Sequence, residues 1–150
     1  MGRFYTTSFS AVSVSAAVDC FEILAASGKP FILHEVVLAQ SSDYGDAAAE
    51  GLSVLIKKAT GSYTSGSGGS THTPAKHLTN DAAAGPTVET NNTTQASAGS
   101  GALTTLRAEA FNVQAGYQYL PTPETRIMFL PSEALVVSIT APADAVTLSG

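Results

Sequence analysis

Two histidines, His72 and His77, stand five residues apart in THTPAKH (71 to 77), a spacing that resembles half of a zinc site. No cysteine pair or third imidazole accompanies them in the sequence, and His34 lies in a strand-like run far away. Solvated loop histidines are the better reading. Asp43, Asp46 and Glu50 crowd one polar stretch, QSSDYGDAAAE (40 to 50). Carboxylates beside glycine can ligate calcium, but the loop spacing of an EF-hand is missing. Asp81, Glu89 and Glu124 are too dispersed to nominate as an acid/base pair. Glycosidase chemistry needs two carboxyl groups roughly 5 to 9.5 Å apart.

The single cysteine, Cys20, excludes an intrachain disulfide and sits in DCFEIL, where a buried inert thiol is expected. The glycines from Gly61 to Gly69 are not followed by Gly-Lys-Ser/Thr and do not form G-x-S-x-G. They supply neither a phosphate cradle nor a nucleophile elbow, only permissive backbone dihedrals. Asn91-Asn92-Thr93-Thr94 reads as turn chemistry, with Asn tolerating the left-handed region. Tyr117 and Tyr119, followed by Pro121 and Pro123, could offer a sugar-stacking platform or serve as core or interface aromatics. No reaction is legible, and no cofactor or metal is expected.

Composition points to a surface, not a reaction. The 150 residues include only 13% charged side chains, with 12 acids against 7 bases and a net charge of −5. Average usage is about 25% charged. Ser, Thr, Ala and Gly fill the gap, and such short side chains lose little entropy when they are ordered in contacts. The bases are scattered and Lys57-Lys58 is their only pair, with the two side chains on opposite faces of a strand. A nucleic-acid partner would need a basic stripe. A membrane span would need about 18 to 20 consecutive apolar residues, so neither partner is expected. The first residues, MGRFYTTSFSAVSVSA, alternate in polarity instead of forming a continuous apolar signal core.

The elements that would position these residues are strands. Phe4 to Phe9, Ala11 to Ala16, Asp19 to Ala25, Leu52 to Lys57 and Leu103 to Val113 alternate or cluster with β-formers. Gly116 to Leu120, Ile127 to Leu130, Leu135 to Ile139 and Val146 to Leu148 complete the series. Phe31 to Ala39 is mixed on both faces and is expected to be a central strand largely covered on both sides. Asp46 to Leu55 is the best helical candidate, weakened by Gly51. The whole predicts an all-β antiparallel two-sheet sandwich, jelly-roll or Greek-key in type, with a barrel as the alternative, as one domain over 1–150. Residues 61–102 read as a long irregular insertion, which in a compact domain signals either a function or a neighbour that pins it.

Five segments carry a resemblance: QSSDYGDAAAEGL (40 to 52), TSGSGGSTHTP (64 to 74), AAAGPTVETNNTT (82 to 94), AFNVQAGYQYLPTPE (110 to 124) and APADAVTLSG (141 to 150). They resemble small virion-associated proteins of tailed bacteriophages. The resemblance implies a β-rich, oligomeric, non-enzymatic protein of the virion, made in the host cytoplasm. A decoration or cement protein bound to the major capsid protein or other virion subunits is the first expectation, with a homotrimer favoured. A tail, head–tail junction or host-glycan-binding component is the second. The candidate interface residues are Arg3, Phe4, Tyr5, Tyr63, His72, His77, Tyr117 and Tyr119, with the segment after Gly61 as a contact arm.

Overall fold

The computed structural model describes residues 2–41 and 50–150. Among them the chain forms strands β1 (Tyr5–Thr6), β2 (Val12–Val14), β3 (Val18–Leu24), β4 (Phe31–Ile32), β5 (Val36–Gln40), β6 (Gly51–Thr60) and β7 (Ser70–His72). Strands β8 (Ala75–Lys76), β9 (Thr87–Asn92), β10 (Ala102–Asn112), β11 (Tyr117–Tyr119), β12 (Met128–Phe129), β13 (Ala134–Ile139) and β14 (Val146–Ser149) follow, with one 3-10 turn at Pro123–Thr125. The protein is all-β, and every strand pairing is antiparallel. No helix among the described residues is long and apolar enough to cross a membrane.

A six-stranded sheet runs β10-β6-β13-β3-β9-β7, a four-stranded sheet runs β11-β5-β14-β2, and two ribbons pair β1 with β8 and β4 with β12. Period-two alternation sends Leu52, Val54 and Ile56 of β6 and Leu135, Val137 and Ile139 of β13 into one core. There they meet Val36 and Leu38 of β5, Tyr117 and Tyr119 of β11, and Val146 and Leu148 of β14. The two sheets are thus layers around a shared apolar interior.

The opposite face of the six-stranded sheet is also covered, and this corrects the expectation of an irregular insertion. Residues 61–102 contain β7, β8 and β9, with β9 paired to β3 over Asp19 to Leu24. Antiparallel bridges tie Thr64 to Ser97 and Ser67 to Thr94. The segments 61–69 and 93–101 form a cap over Ala59, Ala134 and Val136, with Ala96, Tyr63 and Leu103 packed among them. Glycine is needed for the close approach: a Cβ at Gly69 would lie 2.3 Å from the Thr90 carbonyl oxygen, and one at Gly101 2.2 Å from that of Thr60.

Two buried carboxylates fasten the cap. Glu22 is 3% exposed and accepts hydrogen bonds from Tyr63 Oη (2.9 Å), Ser65 Oγ (2.6 Å), Gly66 N (2.9 Å) and Asn92 Nδ2 (3.1 Å). Asp19 accepts from Ala96 N at 2.6 Å and Gln95 Nε2 at 3.2 Å. Burying a charge without such donors would cost several kcal/mol, so the cap and the carboxylates stabilise each other (about 1.5–3 kcal/mol for a hydrogen bond to a charged group).

The segment Phe31 to Ala39 is likewise not one central strand. It divides into β4 and β5, which belong to different sheets, and Val37 on β5 is exposed. The doubly covered strand is β13, all six of whose residues are buried. Of the helical candidate, Gly51 to Leu55 lie in β6 and Asp46 to Ala49 fall outside the described residues.

Candidate docking site

The N-terminal segment crosses back over the molecule. Tyr5 and Thr6 of β1 pair with Lys76 and Ala75 of β8, and His77 N donates to the Phe4 carbonyl at 3.1 Å. Tyr5 Oη donates to the Ala82 carbonyl at 2.9 Å, His77 Nε2 lies 2.6 Å from Thr6 Oγ1, and Arg3 Nε lies 3.6 Å from Asp81 Oδ1. These polar contacts hold 2–8 against 75–82 as a flap. Beneath the flap, Phe21, Ile23, Val88, Leu135 and Val137 of the six-stranded sheet floor an apolar cavity of about 950 Å³ that opens to the surface.

A protein interior is normally packed to the density of an organic crystal, with few voids larger than a water molecule. This apolar space is instead an open concavity, bounded by the flap and by Phe31, Ile32 and Met128 of the β4–β12 ribbon. Its lining includes Phe4, Ile32, Val37 and Met128, which remain 47%, 44%, 43% and 48% exposed. Ile32 and Met128 are direct cross-strand partners in the β4–β12 ribbon, and so form one contiguous apolar pair. The Phe4 ring packs edge-on to His34 with centroids 5.0 Å apart and lies 6.3 Å from His77. Burial, with the charge of Arg126 second, holds the His34 imidazole below its usual pKa, so this neighbour of Phe4 is neutral at physiological pH. Lys29 also lines the cavity. The ribbon is braced from behind, where Lys58 Nζ donates to the Met128 carbonyl at 2.7 Å, lies 3.1 Å from Glu133 Oε2 and sits 5.2 Å from the Phe129 ring centroid.

Four of the eight residues singled out from the sequence, Arg3, Phe4, Tyr5 and His77, thus gather around one cavity. The other four do not. His72 lies in β7 opposite Val88, and Tyr63 is spent on Glu22. Tyr117 and Tyr119 are buried in the core, the first against Phe111 at 5.8 Å and the second under the Arg107 guanidinium at 5.1 Å. The stacking platform read from YQYLPTP is therefore not a surface feature of this chain. Burial, with Glu109 second, also pushes the Tyr117 phenol above its usual pKa.

Ile32, Met128, Asp19 and Glu22 were not singled out. The first two sit in short runs that read as core, and the carboxylates sit inside the apolar-looking strand DCFEIL. No group of three or more His, Cys, Asp or Glu among the described residues is arranged to hold a metal ion. Glu50 accepts a hydrogen bond from Ala143 N, whereas Asp43 and Asp46 lie outside the described residues. Cys20 is fully buried, and its thiol is pushed up to about 12 by burial and then by Asp19. A thiol so protonated is a poor nucleophile.

No protein-family model, no curated protein and no solved structure matches the chain.

Proposed function

We propose that this protein is a structural component of a phage virion, a decoration protein that docks on the outer surface of the head and stabilises it. The observation that carries the reading is the flap-covered apolar cavity, with exposed Phe4, Ile32, Val37 and Met128 in its lining. The low charge, the layered β architecture and the resemblance to virion-associated proteins support the same conclusion. In this reading an apolar segment of the major capsid protein enters the cavity, and the fold is a jelly-roll or Greek-key sandwich.

Fully burying a side chain of this kind is worth about 1.5–3 kcal/mol. Covering Phe4, Ile32 and Met128, each already about half buried, then contributes roughly 3 kcal/mol in all. A ligand that binds the assembled shell better than free subunits stabilises the shell by linkage. Lys29 adds a preference for an acidic residue beside the inserted segment.

Co-sedimentation of the purified protein with phage heads lacking it tests the proposal. The wild type should pellet with heads, and Phe4→Asp with Met128→Asp should abolish pelleting while leaving the unfolding midpoint within a few degrees. Wild-type protein that stays in the supernatant, or a double variant that pellets equally well, overturns it.

A further inference from the structure

We infer that β10 is a pairing edge for a second copy of this chain, with a two-fold axis passing beside Ala108. Strand β10 is eleven residues long and lies at the end of its sheet, hydrogen-bonded only to β6. Its outer edge therefore presents a row of unpaired backbone donors and acceptors among the described residues, the ordinary template for adding another strand. From Thr104 to Arg107 its side chains are exposed on both faces of the sheet, and Ala108 and Glu109 continue the run at the margin of the core. No proline interrupts it.

What selects a second copy is the order of its charges. Arg107 and Glu109 flank Ala108, and pairing with Ile56 and Val54 puts both on the same face, the face on which Ile56 and Val54 enter the core. When two β10 strands pair antiparallel about Ala108, Arg107 of one copy stands opposite Glu109 of the other, and the reverse pair forms at the same time. Each Arg107, already 2.6 Å from its own Glu109, then sits between two carboxylates, and each Glu109 between two guanidinium groups. Opposite charges directly across a ladder stabilise it and like charges oppose it. Leu106, 41% exposed, sits at the bulge, without a register partner on β6. A register slip of one residue in either direction loses the charge match, so the arrangement specifies its own alignment.

The ladder is short. The register with β6 shifts between Thr105 and Arg107, with Leu106 unpaired at the bulge, so the regular pairing about Ala108 covers about three residues per copy, 107–109, and the dimer is a concentration-dependent one. A two-fold pair is also the oligomer this edge builds, whereas the trimer expected from the sequence would need another surface. The inference rests on the edge and its charges and not on the cavity, so it stands or falls apart from docking to a head.

Sedimentation velocity over a concentration series tests it with two single variants. Wild type should dimerise. Arg107→Glu and Glu109→Arg, which place like charges opposite each other, should each dimerise roughly tenfold or more weakly. An equimolar mixture of the two variants should recover a heterodimer, because the doubly acidic edge of the first then faces the doubly basic edge of the second. Ala108→Cys should form a disulfide-linked dimer on mild oxidation, since residues directly opposite lie about 4.5–5.5 Å apart at Cα, within disulfide reach. Thr104→Cys, which lies beyond the bulge and away from the two-fold axis, should not. Buried Cys20 leaves the readout clean. A wild type that remains monomeric, single variants that associate like wild type, a mixture that does not associate, or an uncrosslinked Ala108→Cys each overturns the inference.

Discussion

Replacing Glu22 by alanine removes the acceptor that fastens the cap to the six-stranded sheet, and its cost follows from the four donors left behind. Gly66 N and Asn92 Nδ2 are buried, while Tyr63 Oη and Ser65 Oγ are partly buried and regain water when the cap loosens. An unsatisfied buried donor costs about 1–3 kcal/mol. Asn92 Nδ2 keeps a second acceptor in Glu89 Oε2 at 3.1 Å, which lowers its share. Glu22 and Glu89 are also cross-strand neighbours, so removing one negative charge returns a few tenths of a kcal/mol. The net expectation is about 3 kcal/mol of lost stability, or about 6–12 °C in Tm for a chain of this size. Glu22→Gln should lose about half as much, because whichever way its amide is turned an NH2 group meets donors. Urea unfolding gives the free energies, and limited proteolysis gives the location: cleavage within 61–101 should accelerate before the rest of the chain is cut. A Glu22→Ala protein within 1 kcal/mol of wild type, or one whose cap resists protease as before, would refute the reasoning.

Three further outcomes follow from the same geometry. Tyr63→Phe deletes one partly buried donor to Glu22 and should cost about 1 kcal/mol by denaturant unfolding. Burial holds the Asp19 pKa above its ordinary 3.8 even though Ala96, Ser138, Lys57 and Gln95 act in the opposite sense. The folded state therefore binds that proton more tightly than the unfolded chain, and Asp19 contributes stability that is lost as pH rises from about 4 through the raised value. Asp19→Asn should flatten that slope in a pH series of unfolding midpoints. Lys58→Met removes a hydrogen bond to Met128, an ion pair with Glu133 and a ring contact with Phe129. It should lower stability by about 1–2 kcal/mol and weaken binding to heads by loosening the β4–β12 ribbon.

Strands whose side chains alternate between core and solvent were readable from the sequence. Val146–Ser149 alternates in this way and falls where Val146 and Leu148 place it, whereas Val18–Leu24 is buried over its first five residues and Ala102–Asn112 is exposed along most of its length, so clustered β-formers rather than alternation mark those two. The segment from Gly61 was misread because its structure is polar. In β9 only Val88 is apolar, and Thr90 and Asn92 are buried among hydrogen-bonding groups that hydrophobic periodicity does not register. Its glycines looked like freedom, yet Gly66, Gly69 and Gly101 mark backbone contacts too close for a Cβ. The run Phe31 to Ala39 misled in the opposite way: with apolar residues on both faces beside His34 and Glu35 it reads as one strand largely covered on both sides, and here it spans a break between two sheets. The candidate site was half legible. Arg3, Phe4, Tyr5 and His77 stood out by type, but pairing of β1 with β8 across some seventy residues is a tertiary fact. Ile32 and Met128 become a surface pair only once β4 meets β12.

Imaging native virions by cryo-electron microscopy tests the central claim most directly. Ordered copies of this all-β fold are expected on the outer surface of the head, with the face bearing Phe4, Ile32 and Met128 turned toward the shell and capsid density filling the cavity under the flap. Particles without the protein, or copies bound with that face in solvent and the cavity empty, would contradict it.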